Sequence, residues 1–148
     1  MKRLFLCAFL LSLIGVAGAL AQSNALLIKD PWNKSQLMEP AYLVSLLKNP
    51  NAVKPLIFNI GVVEDIKGAK NMGGASEKEN LQKFKKTIAS LPKKSSVVIY
   101  CGCCPFSRCP NIRPAFKALQ EAGLTNAKLL NLPTNIKTDW INKGYPLQ

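Results

Sequence analysis

The sequence predicts an α/β domain, a small parallel sheet flanked by helices on both faces. Strand-like and helix-like segments alternate along the chain, which is the pattern of a parallel sheet with helical crossovers. The runs at 55–60 (PLIFNI) and 97–100 (VVIY) are nearly continuous in apolar residues, as strands covered on both sides are. No internal repeat, low-complexity tract or linker divides the 148 residues, so one domain is expected.

Residues 1–21 are set apart first. Lys2 and Arg3 form a basic start, residues 4–16 are apolar except for Ser12 and Gly15, and Ala19-Leu20-Ala21 is an A-x-A cleavage site. This is the pattern of a secretory signal peptide. The competing reading, an uncleaved membrane anchor, is disfavoured because the apolar run is short of the span of about 20 residues that a bilayer requires. Cys7 leaves with the signal. The expected mature protein is residues 22–148, with its core at about 35–146, periplasmic or secreted and without stable membrane insertion once the signal is cleaved.

In the mature chain, residues 23–33 read as a lead-in with an edge strand at 25–28. Residues 35–48 read as a helix, with Leu37, Tyr42, Leu43, Leu46 and Leu47 near helical spacing. Pro40 fits only in a first turn, which places the helix proper from about Glu39, and Asn49-Pro50 ends it. The strand at 55–60 follows, then a glycine-rich loop over 61–75. Ser76-Glu77-Lys78-Glu79 is a capping box, and the helix after it carries Leu81, Phe84, Ile88 and Leu91 on one side until Pro92. The strand at 97–100 leads into four cysteines within nine residues. Residues 111–122 are a helix with Ile112, Ala115, Phe116 and Leu119 on one face, Pro110 at its first position and Gly123 where a C-cap belongs. A strand at 127–132 and a helical turn or two at 138–143 close the chain.

Charge and composition exclude several functions. The formal charge is +12, and +10 without Lys2 and Arg3. The lysines at 83, 85, 86, 93 and 94 lack the interleaved aromatics of a stacking platform, so nucleic acid is not an expected partner. They read as a solvated helix face, with a field that attracts small anions. The chain has no histidine. That removes Ser-His and Cys-His catalysis and histidine metal ligation together. A nucleophile here depends on backbone dipoles, lysine or arginine.

The four mature cysteines, Cys101, Cys103, Cys104 and Cys109, are bunched rather than spread as structural disulfides usually are. They occupy a strand–loop–helix turn, where backbone N–H groups and a helix N-terminus stabilise a thiolate. Trp140 and Tyr145 read as packing aromatics.

In this order along the chain, the residues resemble the rhodanese-like domain family. PLIFNI is similar to the strand that usually reads L-I-D-V-R, and Ile66-Lys67-Gly68-Ala69-Lys70-Asn71-Met72 to its I-P-G-A-x-N-I segment. VVIYC is similar to the strand that delivers the active-site cysteine. Leu119 to Leu124 and Trp140 through Gly144-Tyr145-Pro146 resemble the closing L-x-x-x-G-F and W-x-x-x-G-Y-P patterns. The chain departs from the family in carrying Asn59 for the strand's acid, Gly61 for its arginine and Leu132-Pro133 for a Gly-Gly. The cysteine loop is also longer than in ordinary members, with three extra cysteines.

The resemblance implies a rhodanese-like fold and sulfur transfer through a cysteine persulfide, with no metal and no cofactor. It places the nucleophile at Cys101, with Cys103 next, since Cys103-x4-Arg108 has the family's cysteine–arginine spacing. Gly102 and Arg108 are the expected substrate-binding residues. Cys104 completes a C-x-x-C with Cys101 and is a resolving candidate, and Cys109 a candidate for pairing with another loop cysteine. The expected partners are a small sulfur-containing anion, a thiol acceptor and a redox partner protein. Two alternatives remain at this stage: a Cu(I) or other soft-metal module on the same fold, and a non-catalytic scaffold closed by two disulfides.

Overall fold

The computed structural model describes residues 30–148. The proposed signal at 1–21 and the edge strand expected at 25–28 lie outside the described residues. Five strands, β1 (Leu37–Met38), β2 (Leu56–Asn59), β3 (Ala69–Asn71), β4 (Val97–Tyr100) and β5 (Ala127–Leu130), form one sheet. The order is β1-β5-β4-β2-β3, and every neighbouring pair is parallel. The helices are α1 (Pro40–Lys48), α2 (Lys78–Ala89), α3 (Ile112–Glu121) and the short α4 (Ile136–Asp139).

Side chains alternate across a strand, so a central strand feeds two cores. β4 sends Val97 and Ile99 to one face, where Phe84 and Ile88 of α2 and Ile112, Phe116 and Leu119 of α3 cover them. It sends Val98 and Tyr100 to the other, against Leu43 and Val44 of α1, Ile136 and Trp140. All four β4 residues are buried. The expected α/β layering, with helices on both faces, is therefore present. Right-handed crossovers explain the division, because α1 carries the chain across the sheet in one direction while α2 and α3 carry it back in the other.

The boundaries differ from expectation at five places, each for a local reason. Leu37 is not helical: Leu37–Met38 pairs with Leu129 and Leu130 as edge strand β1, and Pro40 then occupies the first position of α1. The 61–75 loop contains β3, which pairs with β2 from Ile57↔Ala69 to Asn59↔Asn71. The capping box at 76–79 does not form. Glu77 is the N-cap without a side-chain cap bond, and the Ser76 N–H donates to Asn111 Oδ1 (2.8 Å) instead. Pro110 precedes α3 rather than opening it. Pro114 sits inside the first turn, where its missing N–H has no helical partner to lose. Finally α4 starts at Ile136, because Asn135 Oδ1 accepts from Thr138 N (2.8 Å), and a 3₁₀ turn at Ile141–Lys143 follows Trp140.

The end of α3 is as expected. Gly123 is left-handed (φ 70°), its N–H donates to Gln120 O (2.9 Å) and the Leu124 N–H to Leu119 O (3.1 Å), a Schellman close. Trp140 and Tyr145 also pack as read. Their rings meet edge to face at 5.3 Å, and the buried indole N–H donates to Pro146 O (3.1 Å).

Candidate active site

In open parallel sheets, sites form beyond the carboxyl ends of the strands, where neighbouring connections leave in opposite directions. Here that place lies between β2 and β4. From β2 the chain turns outward to β3, and from β4 it turns the other way to β5. The Ile60 N–H donates to Tyr100 O (2.9 Å) and holds the two strand ends together. Beyond them stand Gly61 and Cys101.

Cys101 is fully buried. A Cβ on Gly61 would lie 2.6 Å from the Cys101 sulfur and 3.1 Å from its carbonyl oxygen, so only glycine leaves room for the thiol. Gly61 is itself positioned by Asn59, whose Oδ1 accepts from the Gly61 N–H (3.0 Å). The Asn59 Nδ2 donates to Val63 O and Asp65 Oδ1, both at 2.8 Å. Asn59 is thus an amide that shapes the loop, and Gly61 the residue that leaves room for the Cys101 sulfur. On the adjoining loop the Tyr100 hydroxyl, kept protonated by burial, accepts from Ile66 N (2.9 Å) and donates to Glu64 O (3.1 Å).

Gly102 reverses the chain at once. It is left-handed (φ 80°), and its carbonyl accepts from Ile136 N (2.8 Å). The reversal sets Cys103 over Cys101. Their sulfurs are 3.2 Å apart, while Cys103 itself is exposed. Cys104 Sγ lies 3.4 Å from Cys103 Sγ, and the buried Cys109 Sγ lies 3.9 Å from it. The sulfurs of Cys101, Cys103 and Cys109 all fall within 4.8 Å of one another.

The hydrogen bonds make these thiols unequal. The Asn111 amide donates to the Cys101 sulfur (3.3 Å), the Cys103 sulfur touches it (3.2 Å), and the Cys109 sulfur lies within 4.8 Å. The Cys109 thiol has the largest effect, with the Cys103 backbone N–H, the Asn111 amide and the Cys103 thiol after it. Against the opposing effect of burial they lower its pKa to about 5. Cys103 is pushed up to about 12, by desolvation first and then by its bonds to Cys101 and Cys104. Cys109 is raised far above the ordinary thiol range because its proton is held by Cys101. Of the three clustered thiols, Cys101 is therefore the one most readily ionised, and Cys103 and Cys109 are held toward their protonated forms. The sequence ascribes a low thiol pKa to loop N–H groups and the helix N-terminus. The groups that lower it here are mainly the side chains of Cys109, Asn111 and Cys103, with a single backbone N–H, that of Cys103.

Asn111 is the functional residue that the sequence reading missed. It is buried, and it bridges two segments: Nδ2 donates to Cys101 Sγ (3.3 Å) and Oδ1 accepts from Ser76 N (2.8 Å). Asn111 occupies the N-cap position of α3, yet its side chain makes no cap bond there. Of the expected residues, the structure brings Cys101, Gly102, Cys103 and Cys109 together. Cys104 touches Cys103. Arg108 ends the 3₁₀ turn Phe106–Arg108, exposed, and its side chain makes no hydrogen bond or ion pair among the described residues. The three clustered sulfurs are also a donor set that a soft monovalent cation prefers, which keeps metal uptake as the competing use of this nest.

No family model, curated protein or solved structure matches the chain.

Proposed function

We propose that this is an exported rhodanese-like protein that takes up sulfane sulfur on Cys101. The observation that carries the reading is a buried cysteine just beyond the central strand of a parallel sheet, with the Asn111 amide donating to its sulfur and the Cys103 and Cys109 sulfurs within 4.8 Å. In this reading the Cys101 thiolate attacks the outer sulfur of a small anionic donor such as thiosulfate. The sulfur–sulfur bond of the donor breaks, sulfite departs, and Cys101 keeps a persulfide. The donor arrives from the side of exposed Cys103, drawn by the positive charge of the protein.

The test is intact mass after incubation with thiosulfate and removal of excess donor. A gain of about 32 Da, mapped to the peptide holding Cys101, is expected, since a persulfide adds one sulfur. Cys101→Ser is expected to abolish the gain with an unchanged far-ultraviolet circular dichroism spectrum. A protein that gains no sulfur but retains one Cu(I) per chain through a bicinchoninate challenge would replace this reading with the metal one. A protein purified two disulfides closed and inert to thiosulfate would replace it with the scaffold.

A further inference from the structure

We propose that Cys103 discharges the sulfur held on Cys101 as hydrogen sulfide, leaving a Cys101–Cys103 disulfide that an external thiol then reduces. This rests on the persulfide reading above and adds the acceptor, the product and the second substrate class.

Geometry selects Cys103 over the other two cysteines. Its sulfur is 3.2 Å from Cys101 Sγ, and the Gly102 reversal that places it is locked. A Cβ at Gly102 would meet Ile136 Cβ at 2.6 Å, and Ile136 N holds the Gly102 carbonyl. Cys104 makes its sulfur contact with Cys103. Cys109 likewise makes its sulfur contact with Cys103 (3.9 Å) rather than with Cys101, and it is fully buried. Cys103 alone both touches Cys101 and meets solvent.

The step balances within the nest. Cys103 Sγ bonds to Cys101 Sγ, the bond between Cys101 Sγ and its outer sulfur breaks, and the outer sulfur leaves with that electron pair. The proton of the Cys103 thiol goes to the departing sulfur, giving HS⁻ from a persulfide anion. The sulfane sulfur is reduced by two electrons, and the two cysteines are oxidised by two. No other oxidant is needed. Regeneration consumes two thiols. The first, as thiolate, attacks the exposed Cys103 sulfur and Cys101 leaves as thiolate. The second attacks the mixed disulfide, releases Cys103 and departs as an external disulfide. The ease with which Cys101 holds a negative charge makes it the better leaving group of the pair. The second substrate is therefore a dithiol or two monothiols.

The experiment is a single turnover without added thiol. Reduced protein, freed of small thiols under argon, is mixed with thiosulfate, and sulfide is trapped with monobromobimane. The wild type is expected to release about one sulfide per chain and stop, because one disulfide forms per turnover. Its mass falls by two hydrogens, its peptide map links Cys101 to Cys103, and glutathione restarts release. Cys103→Ser, a change at an exposed site, is expected to keep the added sulfur on Cys101 and lose at least tenfold in sulfide. Cys104→Ser is expected still to release sulfide in the single turnover, because the sulfur contact of Cys104 is with Cys103 and not with Cys101. Persulfide in both wild type and Cys103→Ser, with no sulfide from either until glutathione is added, would overturn this inference and leave the persulfide reading standing. Loss of sulfide in Cys104→Ser alone would also overturn it. Absence of both persulfide and sulfide in every variant would overturn the two readings together.

Discussion

Cys109→Ala is expected to move the pH midpoint for modification of Cys101 upward by about one to two units, since a hydrogen bond to a charged group is worth about 1.5–3 kcal/mol and one unit is about 1.4. The Cys109 sulfur lies within 4.8 Å of the Cys101 sulfur, and its thiol is the largest influence lowering the Cys101 pKa to about 5, ahead of the Cys103 N–H and the Asn111 amide. The probe is a small reagent such as methyl methanethiosulfonate, with the labelled peptide identified by mass. The two profiles are expected to cross. Near pH 5 the variant reacts more slowly because less of Cys101 is ionised. Near pH 9 both are ionised, and the more basic thiolate of the variant is the better nucleophile. Cys109→Ser retains an O–H donor at the same place and is expected to restore most of the low midpoint. A loss of reactivity at every pH, unrescued by serine, would mean that Cys109 only fills space.

The same thiol gives folding stability a pH dependence of defined sign. In the folded chain Cys101 releases its proton near pH 5, and in the unfolded chain near 9. Between those values the unfolded state binds more protons, so stability rises with pH, by at most about 1.4 kcal/mol per unit for one group. The contribution is complete above pH 9 and is lost as pH falls toward 5. Above 9 the sign reverses, because Cys103 and Cys109 keep protons in the fold that they release when unfolded. Urea titrations under reducing conditions are expected to show Cys101→Ser flatter than wild type between pH 5 and 9. Parallel curves for the two proteins would mean that Cys101 is not ionised in the folded chain.

How far the fold could be read from the sequence depended on segment length and on where each segment's polar groups find partners. β2, β4, β5 and helices α1 to α3 each carry enough apolar residues to declare a period, and they lie close to where that period put them. β1 and β3 have two and three residues and owe their existence to a neighbour, Leu129-Leu130 in one case and Ile57 to Asn59 in the other. No local pattern marks such strands. The capping box failed similarly, because Asn111, 35 residues further on, takes the Ser76 N–H.

The site divides along the same line. Cysteine clustering, the strand before it and the helix after it are local, and they put Cys101 at the end of β4. Which sulfurs touch is not local. It depends on Gly102 packing against Ile136 and on Gly61 coming from another strand end. The part of Asn111 is invisible for the same reason, since its two partners lie on different segments.

Gly102→Ala is expected to be the most damaging single-methyl change in the loop, costing about 2–5 kcal/mol, because two penalties coincide there. A non-glycine residue in the left-handed region is strained by about 1–2 kcal/mol, and forcing a methyl into a filled core adds about 1–3. Gly144 separates the two. It has nearly the same backbone (φ 65° against 80°), yet no atom lies within 4 Å of where its Cβ would be. Gly144→Ala therefore reports the strain alone, about 1–2 kcal/mol, and the excess in Gly102→Ala reports the contact with Ile136 Cβ at 2.6 Å. Urea midpoints of the two variants measure the difference. The chemistry is expected to divide the same way. To admit the methyl, the 101–103 reversal must shift away from α4 and carry the Cys103 sulfur off Cys101, so Gly102→Ala slows sulfide release while Gly144→Ala leaves it unchanged. Trimming the opposing side chain with Ile136→Ala is expected to recover part of both losses in the double variant, through the space it opens. Equal destabilisation by the two glycine changes would show that Ile136 does not hold the reversal in place, and with it the argument that the fold fixes the distance between Cys101 and Cys103.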